Sequence, residues 1–134
     1  METTRYGMIV RTALSPSAAE EMVREALAAE GFGILTEIDV AATLQQKLGI
    51  ERPPYRILGA CNPALAAEAL AVEENIGLLL PCNVVVYGDG DGSVVAALDP
   101  ATMSDLVSHD AIESVAVEAR TRLGRAMAAI PERP

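Results

Sequence analysis

Hydrophobic residues recur at two different spacings along this chain, and the changes between them divide it into strands and helices. Runs rich in Val, Ile and Leu, or apolar at every second position, predict five strands. The residues Ile34, Thr36 and Ile38 are expected to share one half-buried face of the second of these. The five predicted strands are Tyr6–Ala13, Gly33–Ile38, Tyr55–Ala60, Asn83–Tyr87 and Ser93–Leu98.

Apolar residues three and four positions apart predict a helix near each end of the chain. Pro16 suits the first turn of the earlier helix, Ser15 or Ser17 can cap it, and Gly31 ends it. A loop that contains Met103, Leu106 and Val107 is expected after Asp99-Pro100, and the later helix spans roughly 111–130. Its apolar stripe comprises Ile112, Val115, Ala116, Ala119, Leu123, Ala126, Met127 and Ile130.

Two shorter helices are predicted between the strands. Asp39 is the expected N-cap of one, which Gly49 closes. Asn62-Pro63 opens the other, whose inward residues are expected to be Leu65, Ala66, Ala69 and Leu70. Pro81 prevents the preceding leucines from continuing as a central strand without a break.

The resulting order, β-α-β-α-β-α-β-β-α, favours an α+β layer in which helices cover one face of a curved, mostly antiparallel sheet. The last two strands flank Gly88–Gly92 and predict a hairpin. This turn lacks the glycine and glutamate positions of an EF-hand calcium loop. We expect one domain over residues 1–134, with an ordered core from about 5 to 130.

Composition narrows the classes of partner. A hydrophobic fraction of 51% argues against disorder, and a formal charge of −9 argues against nucleic-acid or anionic-membrane binding. The sequence shows neither a secretory signal nor a stretch apolar enough to span a membrane. We therefore expect a cytoplasmic protein, in which Cys61 and Cys82 are free thiols.

The two cysteines are the candidate chemical groups. Cys61 directly precedes the predicted helix start, where backbone N–H groups and the helix dipole favour a thiolate or an anion contact. Cys82 follows Pro81 at the start of a strand. The alternative interpretation is that both are small buried side chains that fill strand ends. A metal or disulfide pair requires these strand ends to meet in space.

No catalytic constellation is evident. His109 is a candidate base, although a single histidine in a loop is more often solvated, and Asp110 can equally be the cap of the last helix. Neither a glycine-rich phosphate loop nor a GxSxG elbow is present.

Two longer motifs resemble a known family. Gly59-Ala60-Cys61-Asn62-Pro63, followed by the string GLLLPCNVVVY from Gly77 to Tyr87, resembles the bacterial and archaeal family called domain of unknown function 302. The segment Ala97-Leu98-Asp99-Pro100-x-x-Met103 is similar to the part of that family after the hairpin. The matched positions are Gly59, Cys61, Asn62, Pro63, Leu80, Pro81, Cys82, Asn83, Tyr87, Asp99 and Pro100.

The resemblance implies a TATA-box-binding-protein-like α+β domain and small homodimers with no established activity. DNA binding does not follow from the fold. Our first hypothesis is a module that binds a small ligand or a metal and has a role in sulfur or redox metabolism. The sequence favours a binding protein over an enzyme and does not identify a cofactor. The candidate ligand-binding residues are Cys61, Asn62, Cys82, Asn83 and Asp99, of which Cys61 and Cys82 are the candidate metal ligands.

Two alternatives remain open. One is a structural or interaction homodimer that forms through an apolar sheet surface, with the cysteines as packing. The other is a thiol-dependent enzyme with Cys82 or Cys61 as nucleophile and His109 as base.

Overall fold

The computed structural model describes residues 1–134 and contains six strands and five α-helices. The strands are β1 Glu2–Thr3, β2 Gly7–Thr12, β3 Gly33–Asp39, β4 Tyr55–Cys61, β5 Cys82–Asp89 and β6 Gly92–Leu98. The helices are α1 Pro16–Ala29, α2 Val40–Leu48, α3 Pro63–Val72, α4 Ala101–Leu106 and α5 Asp110–Ala128, and a 3-10 helix covers Glu74–Leu79.

All strands pair antiparallel in one open sheet, in the order β1-β2-β6-β5-β4-β3. The helices pack on one face of this sheet, so the predicted α+β class is confirmed. Strand alternation directs Val10, Val95 and Val86 of three neighbouring strands toward that face, where each is at most 1% exposed.

A large apolar cluster, here called the main core, fills the space between the sheet and helices α1 and α5. Ser15 caps α1 by accepting a hydrogen bond from the Ala18 N–H at 3.2 Å, and the helix then buries Ala19, Val23 and Leu27. Every residue of the stripe predicted for α5 is buried. The main core contains Met8, Val10, Ala19, Val23, Leu27, Phe32, Leu58, Ala60, Cys82, Val84, Val86, Val95, Ala97, Leu123, Ala126, Met127 and Ile130.

A smaller cluster, here called the corner core, lies at the end of the sheet where β4 ends and β5 begins. It joins α3, the 3-10 helix and α4 to the first half of α5. Its buried members are Ala69, Ile76, Met103, Ile112, Val115 and Ala116. Several large apolar side chains in this part of the chain remain exposed, among them Leu70, Leu78 and Leu106.

Three local features differ from the sequence-based expectations. A bulge at Leu35 places Ile34 opposite Ala60 and Thr36 opposite Gly59, so Ile34 and Thr36 lie on opposite faces of the sheet. Leu70, expected to face inward, is 41% exposed because α3 packs on α5 through a narrow face. The segment after Pro100 forms helix α4 and not a loop.

Candidate functional site

The pairing of β4 with β5 brings the two cysteine motifs to one corner of the sheet. Ala60 lies opposite Cys82, and Cys61 and Asn62 follow at the point where the chain turns into α3. A close approach fixes this corner, since a Cβ atom on Gly59 would lie 2.2 Å from Thr36 Oγ1 and 2.9 Å from Pro81 Cγ. The requirement for glycine at 59 is therefore steric.

A cavity of about 20 Å³ lies at this corner, beneath α3 and beside α5. Its lining is almost entirely apolar, and it contains three sulfur-bearing residues: Cys61, Cys82 and Met103. The cavity thus lies where the main core meets the corner core. The other lining residues are Phe32, Ala60, Asn62, Leu65, Ala66, Ala69, Leu80, Val115 and Ala119.

The two thiols have different environments. Cys82 is 6% exposed, and burial, together with the nearby Cys61, raises its pKa to about 11. Cys61 is only half-buried and both cysteines are free. At neutral pH Cys82 is therefore a protonated thiol on an apolar wall, and Cys61 lies nearer the surface.

Asn62 and Asp99 lie at the same end of the sheet and stabilise the ends of helices. The Asn62 side-chain oxygen accepts a hydrogen bond from the Leu65 N–H at 3.2 Å and thereby caps α3. Asp99 accepts one from the Ala101 N–H at 3.0 Å and pairs with Arg120 at 3.0 Å. Only Asn62 of these two lines the cavity.

Asn83 and His109 lie away from the cavity lining. Asn83 is exposed, and strand alternation directs it to the sheet face opposite Cys82. His109 is exposed and is the N-cap of α5, with its Nδ1 accepting a hydrogen bond from the Ala111 N–H at 3.0 Å. The structure thus brings Cys61, Asn62 and Cys82 together, but not Asn83, Asp99 or His109.

The residue that the sequence reasoning missed is Met103. The sequence predicts a loop at this position because the six residues of α4 show little periodicity, yet Met103 is 2% exposed and lines the cavity with both cysteines. Its fixed spacing from Asp99-Pro100 in the motif was the available signal.

The sheet face without helices, here called the open face, is the second notable surface. A row of apolar side chains crosses five adjacent strands of this face: Ile9, Ala96, Val85, Ile57 and Ile38. None of the five is fully buried. Beside this row the rings of Tyr55 and Tyr87 stack with centroids 5.3 Å apart, and the Arg52 guanidinium lies 4.8 Å from the Tyr55 ring.

Two further findings concern the whole molecule. No helix is both long and apolar enough to cross a membrane. No group of three or more His, Cys, Asp or Glu side chains is arranged to hold a metal ion.

Comparison with known proteins gives a family and a fold. The model of the family described as "Domain of unknown function DUF302" matches residues 8–130. The chain is also similar to the crystal structure of an uncharacterized conserved DUF302 protein from Bacillus stearothermophilus. The two are 27% identical, with a TM-score of 0.87 over 96% of this chain and 100% of the other. Among curated proteins, none matches the chain significantly.

Proposed function

We propose that this chain, which belongs to the DUF302 family, binds a small thiophilic ligand in the cavity lined by Cys61, Cys82 and Met103, here called the sulfur-lined cavity. The observation that carries this proposal is that Cys61 and Cys82, separated by 20 residues of sequence, line one cavity. A cytoplasmic location, where thiols stay reduced, suits such a site.

The shape of the cavity supports a very small ligand. Organic ligands generally occupy pockets of about 300–1,000 Å³. A space of about 20 Å³ holds roughly one water molecule or one ion. A ligand held there by sulfur is therefore an ion or a group of a few atoms, unless α3 moves aside.

The environment of the thiols favours binding over nucleophilic catalysis. A nucleophilic cysteine needs a lowered pKa or an adjacent base. Burial instead raises the pKa of Cys82, and His109 is engaged as the cap of α5. The half-buried Cys61 has no histidine beside it in the cavity lining.

A native mass spectrum of protein purified without chelator or added thiol tests the proposal. We expect wild-type chains to carry an extra mass that is lost on denaturation, and Cys82→Ser and Cys82→Ala chains to lack it. Asn83→Ala is the matched control, because Asn83 lies outside the cavity lining and should leave uptake unchanged. Wild-type chains of bare mass, or the same extra mass in all variants, would contradict the proposal.

Self-association through the open face is a second candidate function. The apolar row across five strands favours it, because the outward face of an antiparallel sheet that contacts only water is generally polar. A second copy of this chain is the partner that fits, since two such faces bury each other's apolar rows. The formal charge of −9 disfavours nucleic acid on this face.

A lysine introduced in the middle of the apolar row of the open face tests self-association. Val85→Lys should convert a dimer to a monomer in size-exclusion chromatography with light scattering. The control is Val117→Lys on α5, where the side chain is already 61% exposed and away from the open face. A wild-type monomer, or a Val85→Lys dimer, would contradict self-association through this face.

A further inference from the structure

We propose that the sulfur-lined cavity is a site for a soft monovalent metal ion, Cu(I), coordinated by Cys61, Cys82 and Met103. This inference rests on the proposed function, because it names the ligand of the same cavity. Its new elements are the class of metal and the part played by Met103, which lies on α4, at a distance in sequence from either cysteine motif.

The donor set selects the metal. Two thiolates and one thioether are soft ligands, and soft ligands favour Cu(I) over harder cations. Structural zinc sites generally require four Cys, His or carboxylate ligands, whereas this lining offers two cysteines and neither histidine nor carboxylate. Calcium and magnesium require oxygen ligands, and the only polar side chain in the lining, Asn62, has its oxygen engaged as the cap of α3.

The size and character of the cavity fit a bare ion. A space of about 20 Å³ is enough for one ion without its hydration shell. The walls are hydrocarbon from Phe32, Leu65 and Leu80, which offer no oxygen or nitrogen ligand to compete with sulfur for Cu(I). Cys61 is half-buried and Cys82 is buried, so the first gives the ion a point of entry and the second holds it inside.

The net charge of the proposed copper site is small. Binding releases the two thiol protons to solvent, and no electron is transferred, so Cu(I) with two thiolates and a neutral thioether carries one negative charge. The N-terminus of α3, which begins directly after Cys61 and Asn62, supplies the partial positive charge of a helix dipole. Because protons leave on binding, the apparent affinity for Cu(I) should increase with pH.

Anaerobic titration of Cu(I) against the chromogenic chelator bicinchoninate measures the affinity of the full chain. We expect wild type to bind one Cu(I) per chain, and Cys61→Ser and Cys82→Ser to weaken binding by more than about 100-fold, beyond the usual loss for an outer-shell residue. Met103→Leu should weaken it by at least about tenfold. Met127→Leu is the matched control, since Met127 is equally buried but outside the cavity lining.

X-ray absorption at the copper edge gives a readout independent of affinity. We expect a shell of sulfur neighbours only, which loses one member in Met103→Leu. Equal affinities of wild type and Cys82→Ala, a shell containing oxygen or nitrogen, or no effect of Met103→Leu would overturn the inference. A different ligand in the native mass spectrum, lost in Cys82→Ala, would overturn the copper assignment and leave the proposed function intact.

Discussion

The main core and the corner core differ in size and in what they hold in place. The main core has 17 buried residues and spans the sheet, α1 and the C-terminal half of α5, whereas the corner core has six and binds α3, the 3-10 helix and α4 to α5. Because stability follows buried apolar area, the larger cluster determines whether the chain is folded. The smaller cluster determines whether the cavity is covered.

The cavity lies on the boundary between these two cores, so the main core holds Cys82 in place and the corner core covers it. Cys82 belongs to the main core, while Leu65, Leu80 and Met103 cover it from the side of the corner core. Regions with few buried contacts open locally at lower free energy than the whole molecule unfolds. We therefore expect a ligand to reach Cys82 by opening of the corner core while the main core stays intact.

The largest expected effect comes from a cavity in the main core. Leu27 is fully buried on α1, and Leu27→Ala should lower the free energy of unfolding by about 3–4 kcal/mol through lost burial and the cavity left behind. Equilibrium unfolding in urea measures it. A loss below about 1 kcal/mol would show that α1 is not part of the cooperative unit.

A substitution in the corner core should lower the free energy of unfolding less than one in the main core, but should increase the accessibility of Cys82 more. Ile76 is 1% exposed in the 3-10 helix, and Ile76→Ala should cost about 2 kcal/mol, at the low end for such changes. Because this cost falls on the closed cover, alkylation of Cys82 under native conditions should accelerate by about 30-fold. Leu27→Ala is the control and should accelerate alkylation far less; equal acceleration in both would remove the distinction between the cores.

Alkaline pH should lower the free energy of unfolding through the buried Cys82 thiol, by less than the Ile76→Ala substitution does. The pKa of Cys82 is raised from its ordinary value of 9.0 to about 11 in the folded chain, so between these pH values the folded chain retains a proton that the unfolded chain releases. Stability is then fully present below about pH 9 and is lost as the pH rises toward 11, by roughly 1 kcal/mol at pH 10. Cys82→Ala should flatten this part of the urea-unfolding profile, and an unchanged slope would contradict the assignment.

The smallest effect is expected at the rim of the sheet, where Glu20 pairs with Arg24 at 3.1 Å and with Arg56 at 2.8 Å. Side-chain hydrogen bonding to Glu20 is the main reason that the pKa of Arg56 is raised. Glu20→Gln should lower the free energy of unfolding by less than about 1 kcal/mol, because partly exposed ion pairs contribute little. A larger decrease in the free energy of unfolding, measured in urea, would show that these ion pairs contribute to stability as buried groups of the main core do.

Local patterns were enough to predict most of the helices and strands. The α5 stripe, the Ser15 and Asn62 caps and the β5–β6 hairpin each depend on residues within a few positions of one another. The bulge at Leu35 was missed because it depends on the pairing of β3 with β4 and not on the residues of β3.

The site was less predictable, because its members are joined by tertiary packing. The motifs identified both cysteines, but only the Ala60–Cys82 pairing brings them to one cavity. Helix α4 and its Met103 were missed because a helix of only six residues, which begins directly after Pro100, has little helical signal of its own.

The separation of the two cores is tested most directly by the rate of Cys82 alkylation in wild-type protein at increasing urea concentrations below the unfolding transition. We expect an opening free energy well below that of global unfolding, and a weak urea dependence, because only the small corner core is exposed. A rate that follows the free energy and urea dependence of global unfolding would show that the cavity opens only when the whole chain unfolds, and that the two cores do not open separately.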